Sequence, residues 1–372
     1  MQKPNRNTAV DAIRLASLIG ICIVNLPFLG LPVEATLVPP EGLADRVAAF
    51  FVEALFQSKF FLLFSFLFGW GIHVQDQSAS RAGVPFVGRY GRRLIGLAAL
   101  GCLHAVLVFT GDILLLYALF GLLILPMRSF SAQTLMRHGY AMIPVAAILL
   151  TGLALVLSDQ VVPVPGSGLG GSFIEATKAR LTDWPSTFGF LALFQGPMVF
   201  GAFAMGLAAG KSQFFAPHSV GRTGLARLAP WFLVLGLPLN LLYAASTSEM
   251  IPADQELMSL AGFVGIALAG PMLAAVYLHL LLVLNDRFVL PEVLVRAGQN
   301  SLSAYVLQGI MAGFVFGGYG FGVFGQIGLA GLLPVGLIIA VAAILVIGLL
   351  AKPTGRGPLE TILRRITYLS KA

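Results

Sequence analysis

The sequence predicts an all-α protein, a polytopic bundle of about ten transmembrane helices with both termini on the cytoplasmic side. Three observations lead there. The 372 residues are 58% hydrophobic and only 10% charged, with a mean hydropathy of +0.90. Soluble domains carry about 25% charged residues, so this chain has too little polar surface to face water. Apolar stretches recur at lengths approaching the ~20 residues that cross a hydrocarbon core as a helix. Strand-like alternation is absent, so backbone groups in lipid are expected to be satisfied inside helices rather than around a barrel. Finally, the net charge of +7 sits in short loops between apolar stretches. That pattern is a topology signal; it points to the lipid bilayer as the partner and not to nucleic acid.

The first span is expected at 10–31. Lys3 and Arg6 precede it as in a signal peptide. However, Asp11 and Arg14 interrupt the stretch and no small-x-small cleavage site follows, so it reads as a retained helix. Pro39-Pro40 and an amphipathic stretch over 43–56 lead into the second span, 59–72. That short core extends backward if Glu53 and Gln57 face protein. The third span, 94–110, turns at Gly111-Asp112 into the fourth, 113–127, and the fifth covers 140–157. The longest loop follows, with Pro163, Pro165 and a glycine-rich run over 166–171. Spans six to ten are expected at 188–209, 228–245, 257–284, 302–316 and 327–350, before a cytoplasmic amphipathic segment at 359–369.

With the N-terminus inside, nineteen of the 23 Lys and Arg residues fall on the cytoplasmic side, Lys3, Arg6 and Lys371 among them. Arg46, Lys59, Lys178 and Arg180 remain outside. One missed or extra helix would scramble this asymmetry, which supports an even number of spans. No linker, composition shift or clear internal repeat marks a second unit, so 1–372 reads as one membrane domain.

Polar groups inside spans are costly and are functional candidates by default. Asp11 and Arg14, at i and i+3, can pair on one helix face. They either anchor the helix at the headgroups or, with Arg89, Arg92 and Arg93, form a basic pocket for a phosphate-bearing ligand. The same cluster is what a positive-inside loop looks like. His104 is the histidine set deep in a span, a base or relay on one reading and a helix-helix hydrogen-bonding group on the other. Asp112 follows eight residues later, about 12 Å along a helix axis, so contact through the helix itself is not expected. Both can still line one cavity with Tyr117. Lys59 opens the second span and either snorkels to the interface or binds an anionic group. The polar opening of the ninth span offers Asn300 or Ser301 as a cap and places Tyr305 and Gln308 on one inward face. Gly196-Pro197 and Gly270-Pro271 are candidate helix breaks of the kind found near transporter sites. Cys22 and Cys102 lie in apolar stretches and read as small buried hydrophobes. No His, Cys, Asp or Glu spacing resembles a metal site.

Five segments taken in order carry a family resemblance: Val10-Asp11-Ala12-Ile13-Arg14 leading to Val24-Asn25; Ser58-Lys59-Phe60-Phe61 through Phe68-Gly69; Leu100-Gly101-Cys102-Leu103-His104 with Gly111-Asp112-Ile113-Leu114 and Tyr117-Ala118; Gly298-Gln299-Asn300-Ser301-Leu302-Ser303-Ala304-Tyr305; and Gly357-Pro358-Leu359-Glu360. Together they resemble the YeiB-like family of bacterial inner-membrane proteins, a domain-of-unknown-function family, over essentially the whole chain. That family is similar, more distantly, to the transmembrane acyltransferase superfamily that includes heparan-α-glucosaminide N-acetyltransferase. The resemblance implies a multi-pass protein of the bacterial cytoplasmic membrane that moves an acyl group from cytoplasmic acyl-CoA, a co-substrate rather than a resident cofactor, to a hydroxyl or amine at the outer side. Asp11 and Arg14 match the superfamily's Asp-x-x-Arg opening, and Asn25 matches its functional Asn. Where the acetyltransferase has a catalytic His soon after that Asn, no histidine lies between Asn25 and His73 here. The base role would pass to His104, oriented by Asp112, with Asn25 holding the oxyanion. Arg14, Arg89, Arg92 and Arg93 would hold the acyl-CoA phosphates, and Lys59, Tyr117, Tyr305 and Gln308 would line the acceptor side. The same cavity admits a second function, transport of a small solute or protons with His104 and Asp112 as relay. The sequence is compatible with a homodimer.

Overall fold

A computed structural model describes residues 8–32, 36, 40, 42–158, 168–251 and 255–368. Lys3, Arg6, Pro39, Pro163, Pro165 and Lys371, used above, lie outside the described residues. The elements are α1 (Thr8–Gly30), α2 (Leu43–Leu55), α3 (Lys59–Arg81), α4 (Phe86–Leu107), α5 (Leu114–Leu123), α6 (Ala132–Ser158), α7 (Phe173–Phe194), α8 (Gly196–Lys211), α9 (Val220–Thr247), α10 (Glu256–Arg287), α11 (Glu292–Gln299), α12 (Ser301–Phe316), α13 (Leu329–Leu350) and α14 (Pro358–Tyr368). No strand occurs among the described residues. Among the described residues, six helical stretches are long and apolar enough to cross a membrane: α1, the α2–α3 pair, α6, α9, α10 and α13. The fold is therefore an all-helical, multi-pass membrane bundle.

Helices overlap the expected spans, and the differences have physical causes. The sixth, 188–209, crosses a break: α7 and α8 meet at Gln195 with a 57° bend. Pro197, in the first turn of α8, cannot donate to a preceding helix. Gly270-Pro271, by contrast, lies inside the unbroken 32 residues of α10, where neighbouring helices tolerate a proline. The second span extends back through Glu53, since Leu43–Arg81 forms one apolar stretch long enough to cross a membrane, with a local irregularity between α2 and α3 where Ser58 takes φ 67°. α4 starts eight residues before its expected span, so Arg89 and Arg92 sit on its first turns. α5 has 10 residues and extends only about 15 Å, and it continues as a 3-10 turn over Leu125–Ser129. The amphipathic α11 lies between the expected eighth and ninth spans.

Helix pairing builds the core. α9 packs along α10, α3 and α6 along α8, α1 along α3 and α13, and α4 along α5 and α14. Glycine sets the closest of these crossings. A Cβ on Gly206 would land on the Phe66 carbonyl of α3 and one on Gly69 on the Phe203 carbonyl of α8, so the two backbones are in contact as at small-residue membrane crossings. Around them Phe68 stacks on Phe203 at 4.7 Å and Tyr117 meets both rings edge-on.

Candidate functional site

His104 and Asp112 come together despite their axial separation. α4 ends at Leu107, and the Val108 and Phe109 N–H groups both donate to the His104 carbonyl, so the chain leaves the helix immediately. The turn then brings Asp112 back alongside α4. A side chain at Gly101 would collide with the start of α5, so glycine there permits the return. Asp112 Oδ1 accepts the Leu114 N–H at 2.8 Å and the Leu115 N–H at 3.4 Å, capping α5. Its Oδ2 lies 2.7 Å from His104 Nδ1. The separation of about 12 Å along an axis holds for a continuing helix; this helix stops, and the contact forms around the turn. A carboxylate only accepts, so Nδ1 carries a proton, and in the neutral form of the ring Nε2 holds the lone pair. Both side chains are buried, at 4% and 1% exposure.

His104 Nε2 is buried without a hydrogen-bond partner among the described residues. It faces Gly309 of α12, where an added Cβ would stand 3.0 Å away. Tyr305, one turn earlier on α12, packs its ring 5.1 Å from the imidazole and directs its hydroxyl to Asp112 Oδ2 at 3.5 Å. Tyr305 also lines a cavity of about 120 Å³ together with Arg14, Gln75, Arg93, Tyr117 and Ser301. The tyrosine thus has basic groups on one side and the Asp–His pair on the other. Tyr117 itself bonds Ser65 Oγ at 2.6 Å and donates to the Phe61 carbonyl at 3.2 Å.

The four arginines divide. Arg14 pairs with Asp11 at 3.4 Å and faces the cavity. Arg93 also faces it, and its buried Nε has no hydrogen-bond partner among the described residues. Arg89 instead donates to Ser78 Oγ at 3.2 Å and lies 3.9 Å above the Tyr368 ring. Arg92 donates to the Thr367 carbonyl at 3.2 Å. These two are engaged by α14.

Other expected residues fall elsewhere. Lys59 neither snorkels nor faces the cavity. It is 0% exposed, and Nζ donates to Asn240 Oδ1 at 2.5 Å and to the Glu53 carbonyl at 3.0 Å. Asn240 in turn donates to the Ala54 carbonyl at 2.8 Å, so the cluster ties α9 to the α2–α3 junction. Gln308 is buried and donates to the Leu18 carbonyl at 3.2 Å, bracing α12 against α1. Asn25 is half-buried on α1, does not line that cavity, and makes no hydrogen bond to the Asp–His pair. Asn300 does not cap α12 through its side chain; it accepts the Gly357 N–H at 2.7 Å and donates to the Arg296 carbonyl at 2.8 Å. Arg180, assigned to the outer loops, is buried and donates to the Leu107 carbonyl at the end of α4 at 3.0 Å. Cys22 and Cys102 are free thiols. No cluster of three or more metal-ligating side chains occurs among the described residues.

Comparison with known proteins yields relatives along the whole chain. Residues 209–370 match a family model described as protein of unknown function (DUF418). The uncharacterized protein YxaH of Bacillus subtilis is 29% identical over 97% of this chain and 94% of its own length. The uncharacterized protein YeiB of Escherichia coli is 32% identical over 42% of this chain and 40% of its own. An uncharacterized 39.9 kDa protein from the amylase 3′ region of Bacillus acidopullulyticus is 27% identical over 97% of this chain. No solved structure matches the chain.

Proposed function

We propose that this chain, similar to YeiB and to other uncharacterized proteins, is a YeiB-like membrane-embedded acyltransferase with ten spans and both termini in the cytoplasm of a bacterium. It moves an acyl group from cytoplasmic acyl-CoA to a hydroxyl or amine at the outer side. The supporting observation is Tyr305, which lines the cavity shared by Arg14 and Arg93 and reaches Asp112 of the buried Asp–His pair. Phosphates of the donor meet Arg14 and Arg93, where planar guanidinium groups suit them. His104, oriented through Nδ1 by Asp112, takes the acceptor's proton at Nε2 as the acceptor oxygen or nitrogen attacks the thioester carbonyl. The carbon–sulfur bond then breaks, and the CoA thiolate leaves and takes up the proton. Asn25 keeps the oxyanion role implied by resemblance only in a state where it joins the chamber of His104. The test is purified protein in lipid nanodiscs with radiolabelled acetyl-CoA. Label should pass to an acceptor, and His104→Ala should abolish turnover at unchanged expression. Full activity in that variant overturns the proposal.

A second reading is favoured by one feature: His104 is buried with Nε2 against Gly309 and does not itself line the basic cavity. Tyr305, Asp112 and His104 then form a proton relay in a carrier. Proton-coupled solute uptake into proteoliposomes, without acyl release from acetyl-CoA, would select that reading.

A further inference from the structure

The motif Gly357-Pro358-Leu359-Glu360 has no part in the chemistry above, yet it opens α14, the helix that contributes to the wall of the basic cavity. Leu363 of α14 is 3% exposed and forms part of the cavity wall beside Arg14, Arg93 and Ser301. The first turn of a helix offers unsatisfied N–H groups and the positive end of its dipole, a ready anion site. At α12 that position is already filled by a side chain. Glu360 accepts the Ser303 N–H at 3.0 Å and the Ser303 hydroxyl at 2.5 Å. The Leu359 N–H closes the same contact by donating to Ser303 Oγ at 3.0 Å. Glu360 is also a carboxylate near enough for its charge to act on Arg93.

The far end of α14 is held by the two arginines that do not face the cavity. Arg92 donates to the Thr367 carbonyl, and Arg89 lies over the Tyr368 ring. Only Leu363 and Thr367 of α14 are buried. Leu363 and Ile366 pack against α4 at Gly96, and the remaining attachment is made of the Glu360, Arg89 and Arg92 contacts, of which the Glu360 contact is one an incoming anion can replace. A phosphate that displaces Glu360 would take over the Ser303 donors and the neighbourhood of Arg93, so no buried charge is stranded by the exchange. Lifting α14 also frees Arg89 and Arg92.

We propose that α14 is a lid with Glu360 as a built-in stand-in for the ligand's anion. The closed state presents two arginines to the cavity, and displacement of α14 by a phosphate-bearing ligand presents four. This rests on the reading of the cavity as a phosphate site, and not on acyl transfer taking place.

The test is hydrogen–deuterium exchange of the full chain in nanodiscs, followed over 358–368 and, as an internal reference, over 304–316. The probes are desulfo-coenzyme A, inorganic phosphate, and nanodiscs with or without phosphatidylglycerol. Desulfo-coenzyme A should raise exchange across 358–368 at least tenfold and leave 304–316 unchanged. Glu360→Gln should raise it without any probe and tighten desulfo-coenzyme A binding about fivefold. Tyr368→Leu, which removes the ring under Arg89, should act in the same direction and serves if the first variant folds poorly. A response to inorganic phosphate alone supports the lid and removes coenzyme A as its required opener; a response to phosphatidylglycerol alone assigns the anion to a lipid headgroup. Slower exchange of 358–368 with probe, or none of the three probes changing it, overturns the lid. Lid opening without turnover retains this inference and removes acyl transfer, whereas turnover with α14 immobile does the reverse.

Discussion

Replacing Asp112 by Asn and by Ala separates its two jobs. The carboxylate accepts two backbone N–H groups of α5 through Oδ1 and the His104 Nδ1–H through Oδ2, all in a buried site. In Asp112→Asn the amide oxygen retains the α5 cap, but the amide NH2 then faces Nδ1–H, donor against donor. The imidazole must move its proton to Nε2, and a charge-assisted bond becomes a neutral one, a loss of about 1 kcal/mol. In Asp112→Ala the Nδ1–H and the Leu114 N–H are both orphaned, at about 1–3 kcal/mol each, so the total is about 2–6 kcal/mol. Stability is read by denaturant titration of detergent-solubilised protein, and the tautomer by 15N NMR of the labelled His104 ring. The reasoning predicts Ala well below Asn in stability, and the Nε2–H tautomer in the Asn variant. Equal stabilities for Ala, Asn and wild type, or an Nδ1–H ring persisting in the Asn variant, would refute it.

Lys59→Met keeps the stem of the side chain but strands Asn240 Oδ1 and the Glu53 carbonyl in a buried site. A cost of about 2–4 kcal/mol is expected in the same titration, whereas a snorkelling lysine would tolerate the change. Gly309→Ala pushes a methyl against His104 Nε2 and Val108; overpacking should cost about 1–3 kcal/mol and abolish label transfer from acetyl-CoA, and an active Ala variant would contradict the position given to Nε2. Gly206→Ala drives a Cβ into the Phe66 carbonyl, so α3 and α8 must separate, and thermal unfolding should shift down by several degrees for about 1–3 kcal/mol.

Much of the architecture was legible because lipid enforces a simple rule: a long apolar run must be a helix. α1, α9, α10, α12 and α13 follow directly, as does the inward face of Tyr305 and Gln308. What escaped depends on where helices stop. The His104–Asp112 contact exists because α4 ends at Leu107, and nothing in the apolar pattern announces that end. The α7–α8 bend at Gln195 lies within a continuous apolar stretch, and a glycine–proline pair marks it no better than the pair that α10 absorbs. Lys59 shows the limit of reading charge alone. Its partner Asn240 lies 181 positions away on α9, beyond the reach of any local pattern. Among the arginines, sequence gave the cluster, but only the docking of α14 shows that Arg89 and Arg92 are engaged while Arg14 and Arg93 face the cavity.

The central claim is that Tyr305 couples the basic cavity to the buried Asp–His pair. Its most direct test is the 15N signal of His104 during titration with desulfo-coenzyme A, in wild type and in Tyr305→Phe. The account predicts a saturable shift in wild type, and no shift in Tyr305→Phe at retained ligand affinity. A His104 signal indifferent to bound ligand in wild type, or one that shifts equally in both proteins, would contradict it.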